Sequence, residues 1–218
     1  MYTLEDEEND IDNSRKGFVK AFLSEMPTGT IPRDYSRQIV DYIHEKQPFL
    51  PTIKLSNDLY KMEGPDLIYY WYEENDNILL GAEFLKSKKG LVVNFIGKPN
   101  KGKPPYASDL YNAVLTDLKN NNQILHAVII SDRQLSDEGF NIWARLLKDG
   151  HKLLVYDYSQ PGSNYIKIKS IAELNQYFKH DDENFKKYRY VLSEDGRHYA
   201  EIMGCFSLRR LRETSGIL

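Results

Sequence analysis

The sequence predicts an α/β domain with a mixed sheet, and three observations carry that expectation. Three strand-like runs, Leu67–Tyr72, Ile78–Leu85 and Leu91–Ile96, follow one another across Glu74-Asn75-Asp76-Asn77 and Ser87-Lys88-Lys89-Gly90. Connections that short join antiparallel neighbours. Beyond them, apolar residues at helical spacing alternate with short apolar runs, the pattern of crossover helices between strands. The third observation is compositional: 41% of the 218 residues are hydrophobic, and 16 Tyr, 9 Phe and 2 Trp supply large apolar surface that a disordered chain lacks.

The elements are expected in the following order. Residues 1–12 hold Glu5, Asp6, Glu7, Glu8, Asp10 and Asp12 and no basic residue, so 1–14 reads as an acidic, disordered tip. Without those six charges the formal balance moves from −3 to +3, so the remainder is mildly basic. Segment 15–58 reads as N-terminal helices: Gly17–Met26 carries Phe18, Ala21 and Phe22 at helical spacing, and Asp34–Lys46 repeats Tyr35, Ile39, Val40 and Ile43 before Pro48. The three-strand meander opens the core, 59–160. A helix from Tyr106 to Lys119 then presents Leu110, Tyr111, Val114, Leu115 and Leu118 on one face, and Ile124–Ile130 reads as a buried strand. Ser136 is placed to cap the next helix, which buries Phe140, Trp143 and Leu147 and stops at Asp149-Gly150, ahead of a strand over Lys152–Tyr158. In the C-terminal extension, 161–218, Ser170 to Glu173 has capping-box spacing for a short helix. Tyr188–Leu192 and His198–Ile202 read as a hairpin, and Phe206–Leu218 as a helical arm.

One loop stands out chemically. Between Phe84 and Ser108 there is no acidic side chain, and Lys86, Lys88, Lys89, Lys98, Lys101 and Lys103 place six positive charges there. The first three read as hairpin surface. The other three sit in Gly97-Lys98-Pro99-Asn100-Lys101-Gly102-Lys103-Pro104-Pro105-Tyr106-Ala107, which leaves a strand and opens a helix. Helix N-termini offer N–H donors and a positive dipole end, so phosphate or pyrophosphate is the natural guest. Gly97 to Lys103 also fits G-x-x-x-x-G-K, but a P-loop needs Ser or Thr next, and Pro104 and Pro105 remove two backbone donors. A nucleotide triphosphatase is therefore disfavoured.

This order of elements, over roughly Leu59 to Tyr158, resembles the GNAT acyltransferase superfamily: a meander, a pyrophosphate-binding loop and helix, then strand, helix and strand. Gly102-Lys103-Pro104-Pro105-Tyr106-Ala107 falls where that family binds the pyrophosphate of acetyl-CoA, and Leu135 through His151 is similar to its last core helix and closing glycine. The resemblance implies acetyl-CoA or another acyl-CoA as substrate, bound by Lys101, Gly102, Lys103, Tyr106, Ala107 and Ser108, with direct transfer to an amine. Against the family's loop signature, Gly102 stands for Arg or Gln and Pro105 for Gly. Leu146 stands where the family often has a tyrosine that protonates the CoA thiolate, and Tyr106 is the nearest substitute.

Direct transfer needs a base for the ammonium proton. Glu83, within the second meander strand, and Asp132, beyond the Ile124–Ile130 strand, are the candidates, with a solvent-facing strand residue and a turn cap as the respective structural alternatives. Tyr156 and Asp157 are placed to line an acceptor pocket. The wording from Lys103 to Tyr111, and Tyr188–Ser193 with an arginine-bearing tail, resembles GNAT-like proteins of tailed bacteriophages. That implies an alternative: a degenerate domain with a structural virion role or a host-protein partner, found in the host cytoplasm or the virion.

Other chemistries find little footing. His44, His126, His151, His180 and His198 are dispersed, so no metal site is expected. Cys205 is the single cysteine and no apolar leader opens the chain, which points to a reducing, cytoplasmic compartment; no run is long enough to span a membrane. Tyr69-Tyr70-Trp71-Tyr72 resembles a stacking platform for nucleic acid, but alternate strand residues face opposite ways, so core packing is expected instead.

Overall fold

The computed structural model describes residues 35–87, 90–99, 102–121, 127–131, 137–157, 165–178 and 188–193. The acidic tip, the Gly17–Met26 helix, the Ser136 cap, His198–Ile202, Cys205 and the Phe206–Leu218 arm lie outside them. Four helices and nine strands are described: α1 (Tyr35–Lys46), β1 (Thr52–Lys54), β2 (Leu59–Glu63), β3 (Leu67–Glu74), β4 (Asn77–Ser87), β5 (Gly90–Gly97), α2 (Ala107–Asn120), β6 (Val128–Ile130), α3 (Asp137–Lys148), β7 (Leu153–Asp157), β8 (Tyr165–Ile168), α4 (Ile171–Gln176) and β9 (Tyr188–Ser193).

All nine strands join one mixed sheet in the order β1-β2-β3-β4-β5-β6-β9-β7-β8. The meander forms as the short connections require. Asn75 and Asp76 both take positive φ, 50° and 60°, in the tight turn between β3 and β4, a backbone whose twist suits a two-residue hairpin. β5 pairs with β6 in parallel across the α2 crossover. Two strands escape the sequence pattern: β1 is a three-residue exposed edge, and β2 is buried on both faces, which erases alternation. β8 is a short edge strand, again too brief to announce itself. The sheet therefore draws strands from all three of the segments 15–58, 59–160 and 161–218.

Of the hairpin expected between Tyr188–Leu192 and His198–Ile202, only the first strand falls within the described residues, as β9. β9 is flanked on one side by β6, with Ile129↔Leu192, and on the other by β7, with Val155↔Tyr190, so both of its edges are occupied.

α2 and α3 cover one face. Their apolar sides meet Ile68, Tyr70, Phe84, Leu91 and Ile129 in the main core. Edge-to-face or tilted ring contacts run Tyr70, Phe84, Tyr111, Trp143, Tyr190 at centroid spacings of 5.9, 6.1, 5.8 and 5.8 Å, tying the meander to β9. Each contact is worth about 0.5–1.5 kcal/mol beyond area burial. α3 ends as its sequence predicts: Gly150, at φ +88°, lets its N–H reach Leu147 O (3.1 Å) while His151 N–H reaches Leu146 O (3.0 Å). α4 is capped by Ser170 Oγ, which accepts from Glu173 N–H at 3.2 Å.

α1 lies on the opposite face, over the meander. Ile39 and Ile43 pack with Met62, Tyr69, Trp71 and Ile78. Gly81 permits this close approach: a Cβ there would stand 2.9 Å from Ile43 Cδ1. Tyr69 and Trp71 thus face α1 while Tyr70 and Tyr72 face α2, the division that strand alternation predicts for this aromatic run. No described helix is long and apolar enough to cross a membrane.

Candidate active site

Among the described residues, the two parallel neighbours pair at only two positions. β5 and β6 share the pairs Leu91↔Ile129 and Val92↔Ile130; β5 then continues to Gly97 while β6 stops at Ile130. Ser131 turns toward β9 instead, donating its N–H to Tyr190 O (2.8 Å) and accepting from Tyr190 N–H at Oγ (2.9 Å). Among the described residues, the carboxyl end of β5 is left along an open edge. Crevices at the carboxyl ends of diverging strands are where α/β sheets bind ligands.

A bulge lies on that stretch of β5. Glu83 pairs with Phe95 and Phe84 with Val93, so Asn94 is the extra residue. The Asn94 side-chain amide donates to the Glu83 carboxylate, and Tyr69 stands opposite Glu83 on the other neighbouring strand. Burial first, then the neighbouring Glu83 carboxylate, push the Tyr69 phenol far above its usual range. Glu83 is 8% exposed, so the solvent-facing alternative does not hold. It shares the face of Gly81, the side covered by α1. Half-buried Tyr42 and Phe95 flank it, their rings edge-to-face at 6.5 Å. Asn94 is not singled out by sequence reasoning, and Tyr69 only as part of an aromatic run. The available signal is a lone polar residue interrupting Leu91–Ile96, which marks a bulge.

The loop after β5 begins three residues beyond Phe95, at Lys98. Lys98 Nζ turns inward and donates to the carbonyls of Lys103 and Pro105, and burial lowers its pKa. The peptide between Pro104 and Pro105 is cis. Tyr106 precedes α2 with extended backbone, and its ring lies between two cations, Lys98 Nζ at 4.9 Å and the Arg145 guanidinium at 3.8 Å. Asp109 accepts from the Tyr106 N–H at 2.7 Å. The amides of Ala107 and Ser108 precede the first intrahelical bonds, and the Ser108 residue is buried. Gly102 and Lys103 are exposed. Lys101 and Asp132 lie outside the described residues.

The other candidates separate. Asp157 ends β7, four strands from β4 in the sheet order, which puts it about 19 Å from Glu83 at ~4.8 Å per strand. Tyr156 packs against Tyr165, the rings tilted with centroids 4.9 Å apart. Leu146 is fully buried in the main core. Among the described residues no cluster of three or more His, Cys, Asp or Glu is placed to hold a metal ion.

A second buried carboxylate, on the opposite face, also escapes the sequence reading. Asp117 of α2 accepts from Lys61 Nζ (2.9 Å) and the Tyr70 hydroxyl (2.8 Å) at Oδ2, and from Asn121 Nδ2 (2.6 Å) at Oδ1. It pins α2 to β2 and β3.

Compared with known proteins, the chain matches no family model and no curated sequence.

Proposed function

We propose that this chain is a GNAT-type, acyl-CoA-dependent N-acyltransferase that moves an acyl group directly to an amine. The observation that supports this reading best is the parting of β5 from β6 beside the Glu83–Asn94 pair. An extended thioester arm lies along the open edge of β5, hydrogen-bonded to its backbone, with Glu83 one strand away. The order of meander, loop, helix, parallel strand, helix and strand supports this reading. Lys101, Gly102, Lys103, Tyr106, Ala107 and Ser108 then receive the pyrophosphate. The amine nitrogen attacks the thioester carbonyl carbon; the N–C bond forms, the C–S bond breaks, and CoA leaves as the thiolate. Glu83 takes the ammonium proton, directly or through water. With Leu146 in the core, the thiolate draws its proton from solvent.

Calorimetry with acetyl-CoA and CoA tests the reading. Binding is expected, weakened tenfold or more by Lys101→Glu with Lys103→Glu. Glu83→Gln is expected to leave that affinity unchanged and to lower kcat roughly 100-fold, the contribution of one positioned base. No heat and no thermal shift at millimolar acetyl-CoA would end it.

A second reading is favoured by the way the loop is tied. Lys98 on two loop carbonyls and Asp109 on the Tyr106 amide already occupy groups that a pyrophosphate would use. On this reading the domain is catalytically silent and serves as a virion component or host-interaction protein of a tailed bacteriophage. Silence toward acetyl-CoA, with recovery of the chain from purified virions, would favour it.

A further inference from the structure

We infer that β1 is a self-association edge: it pairs antiparallel with β1 of a second copy of this chain, across a two-fold axis centred on Ile53, and joins the two sheets into one. The inference is independent of the acyl-transfer reading.

β1 is the outermost strand on its side of the sheet, and Pro51, Thr52, Ile53 and Lys54 are all exposed. Among the described residues the exposed large hydrophobic side chains are Phe49 and Ile53, one just before β1 and one within it. β8, at the other edge, is mostly half-buried or buried. The bare edge is also the apolar one.

Hydrogen bonding around β1 identifies the groups this edge offers. In an antiparallel strand the N–H and C=O of one residue point to the same side, and successive residues alternate. Leu55 N–H donates to Leu59 O at 2.8 Å, so Leu55 and Ile53 turn toward β2. β2 agrees. Asp58 O accepts from Glu73 N–H (2.8 Å) and Gly64 N–H donates to Leu67 O (2.9 Å), so alternate residues turn to β3 and Lys61, opposite Ile53, turns to β1. Thr52 and Lys54 therefore present their N–H and C=O outward. With Thr52 opposite the partner's Lys54 and the reverse, four backbone hydrogen bonds form, and Ile53 faces the partner's Ile53.

The side chains fit the same register. Ile53 shares the α2 face with Lys61, so on that face Pro51, Ile53 and Leu55 meet the partner's Leu55, Ile53 and Pro51, an uncharged strip. From Leu50 to Ser56 the single charge is Lys54, which meets threonine, so no like charges are directly opposed. Lysine on an edge strand ordinarily guards against such pairing. Here it is withdrawn: Lys54 Nζ lies over the Tyr60 ring of its own β2, 5.2 Å from the centroid. An oppositely charged partner would find only Lys54 on this edge, whereas a second copy meets a matching apolar row. Phe49 to Ser56 on each side is far fewer residues than the roughly 20–30 of a standard interface, which makes the dimer weak and reversible.

Sedimentation velocity on the full chain, from about 1 to 500 µM, should show a reversible shift from monomer toward twice that mass. Ile53→Lys, at an exposed position, should weaken association tenfold or more with an unchanged melting temperature. Lys54→Pro removes an N–H that points away from β2 and should weaken it similarly. In a Cys205→Ser background, Ile53→Cys should give an intermolecular disulfide with oxidised glutathione, because such facing residues lie about 4.5 Å apart at Cα. Thr52→Cys, about 7–8 Å from its counterpart in this register, should give far less. The proposal is overturned if the chain stays monomeric throughout, or if the mass climbs past the dimer without a plateau, the mark of an open head-to-tail assembly. It is equally overturned if folded Ile53→Lys associates like the unaltered chain, or if the two cysteine variants cross-link alike.

Discussion

Asp117→Ala is expected to destabilise the protein by about 3–5 kcal/mol, the range for breaking a buried ion pair by removing one partner. The substitution strands the Lys61 ammonium and the Tyr70 hydroxyl under α2, where both now donate to Oδ2. It also removes an acceptor for Asn121 Nδ2, at the end of that helix. Equilibrium urea unfolding measures the loss, read as a lower midpoint with an unchanged slope. Removing the whole polar group at once, Lys61→Met with Tyr70→Phe and Asp117→Leu, should recover most of it, because no buried charge is then left behind. A loss below about 1 kcal/mol for Asp117→Ala, typical of exposed pairs, would show that α2 is not fastened in this way.

Gly90→Ala should cost about 3 kcal/mol or more, combining backbone strain with overpacking. Gly90 begins β5 at φ +141°, and a Cβ there would stand 2.5 Å from the Val128 carbonyl oxygen and 2.9 Å from Val128 Cβ. Neither can yield cheaply: the first is backbone in β6, and β6 is held on its other side by β9. A melting temperature lower by roughly 6–12 °C is the expected reading for a chain of this size. Gly102→Ala is the control. Its φ is +84° but nothing lies within 4 Å of the added carbon, so only the conformational term, about 1 kcal/mol, remains. Equal effects at the two positions would mean that β6 does not press on Gly90.

The meander, α2 and α3 were legible because local signals and tertiary burial agree there. Short connections force antiparallel pairing, and Leu110, Tyr111, Val114, Leu115 and Leu118 mark a helix face that the core does bury. β2 was illegible for a physical reason: Lys61 points into the core, and only Asp117, 56 residues away, makes that tolerable. The place of β9 was illegible because its pairing partners, β6 and β7, lie far off in sequence. At the site, Glu83 stood out as an acid in an apolar strand, yet its burial depends on α1, which belongs to another part of the chain. The lysine loop was legible as charge; that Lys98 bonds to its own loop was not, because carbonyl direction is set by backbone geometry and not by residue type.

The placement of β9 also bears on how the protein is made. Once Asp157 has emerged from the ribosome, β6 and β7 exist without the strand that separates them, and Ser193 follows roughly 2–7 s later at ordinary rates of synthesis. For that interval the nascent chain carries bare strand edges of the kind that pair with other chains.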